Sequence, residues 1–103
     1  YGEPSGPLLF GKLHDCDVVF VGRHGAGHTI PPHMVNYRAN IWALKETGVH
    51  SVIAVAAVGG IDASLKPTML AFPDQIIDYT YGRHQTFYER DLSHVVHVDF
   101  TEP

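Results

Sequence analysis

With 103 residues, 45% of them hydrophobic, the chain is the size of one modest domain and can bury a core. A formal charge of −4, with eight histidines counted neutral and Lys and Arg scattered, excludes a nucleic-acid surface built on bulk charge. The single cysteine, Cys16, excludes an internal disulfide, and no apolar run approaches the roughly 20 residues that cross a bilayer. Residues 1–7 show no basic-then-apolar leader pattern, so a soluble cytoplasmic protein is the expectation.

Residues 1–6 read as an irregular lead-in. Stretches 7–13 and 17–22 are apolar, bounded by Gly, His and Asp, and predict two strands with a hairpin turn at Asp15-Cys16. The uninterrupted run from Val18 to Val21 predicts a strand buried on both faces. A loop over 24–32 closes on Pro31-Pro32, which suits a helix start because proline lacks only an N–H that would be orphaned there. The spacing then predicts a helix over 33–47: Val35, Ala39 and Trp42 fall at i, i+4 and i+7, Ile41 and Leu44 widen the stripe, and Gly48 stops it. Segment 51–58, β-branched and rich in alanine, predicts another buried strand, ending in Gly59-Gly60. Short strands are expected at 69–72, 75–79 and 95–100, with a polar and aromatic loop over 83–89. There is no internal repeat and no low-complexity tract.

Strand 17–22, helix 33–47 and strand 51–58 make a unit sized for a parallel crossover, which predicts an α/β fold with a mixed sheet. Such a crossover puts the C-terminal ends of both strands on one edge, where open α/β sheets bind ligands. Arg23 and His24 would then face Ala56, Ala57, Val58 and Gly59. Arg23 brings a planar fork of donors with fixed charge, His24 a donor set by protonation, and the small-residue bend brings backbone N–H groups a ligand can approach closely. This combination suits phosphate beside a small molecule. Taken singly, each half has a plainer reading: an Arg-His pair can be a structural ion-pair site, and Gly59-Gly60 an unliganded tight turn. Neither the Walker nor the dinucleotide glycine pattern is present, which argues against an ATP or NAD site.

Other candidates are weaker. His24, His28 and His33 match no common zinc spacing, so no metal is expected. His94 and His97 would point to opposite faces of a strand and read as ordinary polar positions. Asp15, Asp17, Asp62 and Asp74 read as turn or cap residues, and no carboxylate pair stands out for glycosidase chemistry. Cys16, flanked by aspartates that disfavour its thiolate, reads as structural. Asn36, Arg38 and Asn40 form either a solvated helix face or a buried polar network that holds the anion loop. Tyr79, Tyr81, Phe87 and Tyr88 are core or subunit-interface aromatics, with an interface preferred.

Taken together, Arg23-His24-Gly25, His28 to Pro32, Val35 to Lys45, Ala57 to Ile61, Asp74 to Asp78, Arg83 and Thr86-Phe87 resemble the purine nucleoside phosphorylase family, in its methylthionucleoside branch. The likeness runs over essentially all 103 residues. Within the branch, Tyr1 to Gly6, Gly59 to Ile61 and His94 to Phe100 look most like members acting on methylthioinosine, with methylthioadenosine the runner-up. The resemblance implies phosphorolysis, in which phosphate attacks C1′ to release the purine and form 5-methylthioribose 1-phosphate. It implies that Arg23, His24, Ala56 and Ala57 contact phosphate and that Val58 and Gly59 line the purine pocket. At Ala56 the methylthioadenosine enzymes usually carry a hydroxyl residue, so only backbone contact is available there. The resemblance also implies a trimer, small-molecule nucleoside and phosphate as partners, phosphate as co-substrate, and no cofactor. Family subunits are more than twice this length, with a further glycine-rich phosphate loop and a purine-reading half. The chain is therefore expected to be one partial domain over 1–103, inactive by itself.

Overall fold

The computed structural model describes residues 1–89, 93 and 95–102. Two antiparallel strands, β1 (Leu9–Leu13) and β2 (Cys16–Phe20), form a hairpin in which Leu9 pairs with Phe20 and Leu13 with Cys16. That register leaves His14-Asp15 as the two-residue turn, one position earlier than expected, and His14 adopts a φ of 53° to make it. Lys12 and Asp17 face each other across the ladder, with a 3.0 Å ion pair too exposed to add much stability.

A 3₁₀ turn, Pro32–Met34, precedes the helix α1, Tyr37–Glu46. The helix was expected to start at 33, but Asn36 caps it instead, its side chain accepting from the Ala39 N–H at 3.1 Å. At the far end the Thr47 and Gly48 N–H groups bond to the Leu44 and Lys45 carbonyls, and Gly48 takes the positive φ, 78°, of a helix stop.

Among the described residues the core is small: Val35, Ala39 and Leu44, with Asn40 beside them. Trp42 and Ile41, expected in the buried stripe, are partly exposed. Trp42 packs instead against Tyr1 (5.2 Å between rings) and under the Lys45 ammonium (4.9 Å). The accessible surface is 9684 Å², against about 5,800 Å² for a closed monomer of this mass. The radius of gyration is 16.0 Å, against about 13 Å for a compact chain of this length. Many large apolar side chains are exposed, including Phe10 and Phe20 on the hairpin.

Two expectations change as a result. Strand β2 is not buried on both faces, because no layer covers the hairpin among the described residues. Segments 51–58, 69–72, 75–79 and 95–100 join no ladder there, so the sheet is the antiparallel pair alone and the parallel crossover is not hydrogen-bonded. The physical reason is common to all four. β-Branched composition favours extended backbone, but a strand exists only where a neighbour takes its N–H and C=O groups. Ile53, Val55 and Val58 are 85%, 76% and 84% exposed. The reading of His94 as a polar strand position falls outside the described residues.

Candidate functional site

Two residues beyond β2, the chain makes a tight turn from Gly22 to Gly25, closed by the Gly25 N–H donating to the Gly22 carbonyl at 2.8 Å. Arg23 and His24 are its two corner residues, so both side chains project from a fixed bend. Glycine is required at 25: its φ is 77°, and a Cβ there would lie 3.3 Å from Ile30 Cδ1 and 3.6 Å from the Ser5 carbonyl oxygen. The loop then returns through the His28 N–H, which bonds to the Gly25 carbonyl at 3.1 Å. The Ile30 N–H closes it by bonding to the His24 carbonyl at 3.0 Å.

Side chains complete the bend. The Arg23 Nη1 donates to the Val55 carbonyl at 2.9 Å, and its Nε donates to His24 Nε2 at 3.2 Å. His24 Nδ1 lies 2.7 Å from the Ile30 carbonyl, and the His28 ring packs on the His24 ring at 4.7 Å between centroids. Three of the five N–H vectors of the guanidinium have no hydrogen bond among the described residues. They remain available to an anion.

Arg23 and His24 therefore meet, and Arg23 reaches the backbone immediately before Ala56-Ala57. The crossover ladder is absent, yet the two loops it was expected to join do touch. Ala56, Ala57, Val58 and Gly59 are exposed, and Gly59 has open space where a Cβ would stand. Gly60 differs: its Cβ would lie 2.9 Å from Leu65 Cβ, so the bend at 60–65 closes too tightly for a side chain. No group of three His, Cys, Asp or Glu side chains converges as a metal site among the described residues.

The helix carries the polar network. Asn40 accepts from the Ser5 N–H at 2.7 Å and donates to Ser5 Oγ at 2.9 Å, while Asn36 donates to the Tyr1 and Glu3 carbonyls at 2.8 and 3.2 Å. These two residues thus secure segment 1–5, whose Ser5 carbonyl packs on the Gly25 turn. Asn40 supports the Arg23 loop through one intermediary. Arg38 points elsewhere, to Glu89 at 2.8 Å and the Thr86 carbonyl at 3.2 Å.

Residues 78–89, of which 83–89 was expected as loop and the aromatics as a possible interface, fold back on α1. Phe87 packs edge-on against Tyr1 at 5.0 Å, whereas Tyr79 and Tyr81 stand 87% and 90% exposed. A cavity of 480 Å³ opens between α1 and this segment, lined by Tyr37, Arg38, Asp78, Arg83 and His84 among others. It holds none of Arg23, His24 or 56–59. Sequence reading missed this cleft; its one signal was the density of Arg, His and Tyr over 79–88.

Carboxylates near it are tuned by hydrogen bonds. Glu89 is held below its ordinary value by bonds from His84 and Arg38, and Asp78 by the Thr80 hydroxyl and N–H. Asp62 and Asp99 repeat the Asp78 arrangement with Ser64 and Thr101, so Asp62 is a turn residue as expected. The folded state holds Glu89 ionised where the unfolded chain would protonate it. Its contribution is therefore present above the ordinary 4.5 and is lost as pH falls through the lowered folded value. In acid titrations, the unfolding midpoint of the wild type is expected to fall more steeply through that window than that of Glu89→Gln. Parallel curves would remove the Arg38–Glu89–His84 cluster from the acid response.

The sequence profile of the Phosphorylase superfamily matches residues 1–103. The chain is 55% identical over 103 residues to a probable S-methyl-5′-thioinosine phosphorylase of Xanthomonas campestris, covering 100% of this chain and 41% of that protein. It is 50% identical over 108 residues to a 6-oxopurine nucleoside phosphorylase of Pyrococcus furiosus, covering 100% and 40%. The apo methylthioadenosine phosphorylase of Schistosoma mansoni superposes with a TM-score of 0.82 at 39% identity, over 98% of this chain and 37% of that one. The chain thus spans about 40% of the length of the curated relatives it matches. Its backbone follows a phosphorylase path even where 51–58 lacks ladder partners, and the chain belongs to the phosphorylase superfamily.

Proposed function

We propose that this chain supplies the phosphate-binding edge of a nucleoside phosphorylase that cleaves S-methyl-5′-thioinosine to hypoxanthine and 5-methylthioribose 1-phosphate. The observation that carries it is the Arg23 guanidinium lodged against the Val55 carbonyl, in a chain of this superfamily. A phosphate oxygen forms the new bond to C1′ as the bond from C1′ to the purine nitrogen breaks, and the base leaves with the electron pair. Arg23 and His24 hold the phosphate, with the Ala56-Ala57 backbone opposite and Val58-Gly59 along the purine. Catalysis by these groups is positioning and charge stabilisation, with phosphate as co-substrate and neither metal nor cofactor. A 6-oxo base is favoured because several similar relatives carry methylthioinosine or 6-oxopurine in their names. The reading extends to purine salvage in the cytoplasm by a homotrimer, to which the described residues contribute exposed Tyr79 and Tyr81.

The test is phosphate-dependent release of free purine by the complete protein, with methylthioinosine and methylthioadenosine compared. Methylthioinosine is expected to give the higher kcat/KM. Preference for the adenosine substrate would reassign the base. Binding of phosphate and hypoxanthine without turnover of either nucleoside would leave a non-catalytic binding protein.

A further inference from the structure

The hydrogen bonds around His24 fix where its proton sits. The Ile30 carbonyl can only accept, so His24 Nδ1, 2.7 Å away, must carry the N–H. The Arg23 Nε–H can only donate, so His24 Nε2, 3.2 Å away, must offer a lone pair. His24 is thereby a neutral imidazole with one tautomer. It occupies one arm of the side-on fork that Arg23, through Nε and Nη2, presents to an oxyanion. The far side of the guanidinium is engaged too, through Nη1 on the Val55 carbonyl, but a backbone carbonyl cannot titrate.

We propose that anion binding at Arg23 is coupled to uptake of one proton by His24. An oxyanion that takes the side-on fork displaces the His24 lone pair from the Arg23 Nε–H. The freed Nε2 then lies within reach of the same oxygen, where a lone pair repels it and an N–H binds it. Taking a proton from solvent turns Nε2 into a donor while Nδ1–H keeps its bond to the Ile30 carbonyl. The imidazolium that results is tolerable because the anion stands beside both it and the guanidinium. Without the anion, the same protonation would set a second cation and a donor against Arg23. His24 is thus a gate that the ligand itself opens.

The other groups facing His24 are few. The His28 ring is the titratable neighbour, at 4.7 Å, and the 51–58 segment that meets Arg23 carries no ionisable side chain. The Ser5 backbone approaches Gly25 but brings no charge. Among the described residues His28 is the alternative source of the proton count, and its φ of 52° is a conformation that asparagine tolerates.

This inference rests on the phosphate-site reading above, and one experiment separates their failures. Sulfate, which does not titrate near neutrality, is bound to the complete protein in calorimetry with two buffers of different ionisation heat, between about pH 5 and 8. The expected result is uptake approaching one proton per anion, with Kd weakening about tenfold per pH unit over the linked range. His24→Gln should still bind sulfate but with no uptake, and His28→Asn should keep the uptake. Binding without proton uptake in the wild type overturns the coupling and leaves the phosphate site standing. Uptake lost in His28→Asn and kept in His24→Gln overturns it as well. No binding of sulfate or phosphate at all removes the site and the coupling together.

Discussion

Arg23→Ala in the complete subunit is expected to lower kcat/KM for phosphate by about a hundredfold to a thousandfold, the usual effect of removing one preorganised donor to a developing charge. The size follows from the position of the guanidinium. It stands at the corner of a closed turn, anchored on the Val55 carbonyl at 2.9 Å, with donors still open. Backbone reorganisation on binding is therefore small, and alanine leaves no other fixed positive charge in the bend. The nucleoside KM measured at saturating phosphate should change little, because the hydrogen bond Arg23 makes to segment 51–58 is at Val55, ahead of the Val58-Gly59 stretch expected to line the purine. Arg23→Lys should recover only part of the loss. A single ammonium cannot donate to the Val55 carbonyl and present a planar fork together. Wild-type phosphate dependence in Arg23→Ala would dismiss the role assigned to this residue. A loss accompanied by a matching fall in the unfolding midpoint would make it structural.

Asn40→Ala is the substitution expected to cost most stability. Asn40 is 5% exposed, and its side chain makes two hydrogen bonds to Ser5, at 2.7 Å to the N–H and 2.9 Å to the hydroxyl. Alanine orphans the half-buried Ser5 N–H and leaves a void beside Ala39 and Leu44, a loss of about 2–3 kcal/mol. Ser5→Ala is the control: it removes the hydroxyl bond alone and should cost about 1 kcal/mol or less. The Ser5 carbonyl packs on the Gly25 turn, so Asn40→Ala should also raise the phosphate KM, while Ser5→Ala should not. Denaturant midpoints at constant slope measure the first effect and steady-state kinetics the second. Asn40→Ala within about 0.5 kcal/mol of wild type would return this helix face to simple solvation.

The sequence alone determined the local decisions. Apolar runs on either side of a short polar turn make a hairpin, and Gly48 stops a helix, because turn and cap chemistry belong to a few neighbouring residues. The turn itself lies at His14-Asp15 rather than Asp15-Cys16, and the helix starts after Asn36 rather than at 33. The sequence also determined that Arg23 and His24 would share a bend with glycines on both sides. Tertiary structure decided what depends on partners distant in the chain. Segment 51–58 has strand composition but joins no ladder among the described residues, since pairing requires a neighbour that composition cannot supply. Trp42 lies on Tyr1 and Phe87 rather than in the core, because an aromatic on the edge of a helical stripe goes to whichever surface reaches it. The state of His24 was likewise beyond sequence reading. Only the positions of the Ile30 carbonyl and the Arg23 N–H determine which ring nitrogen holds the proton.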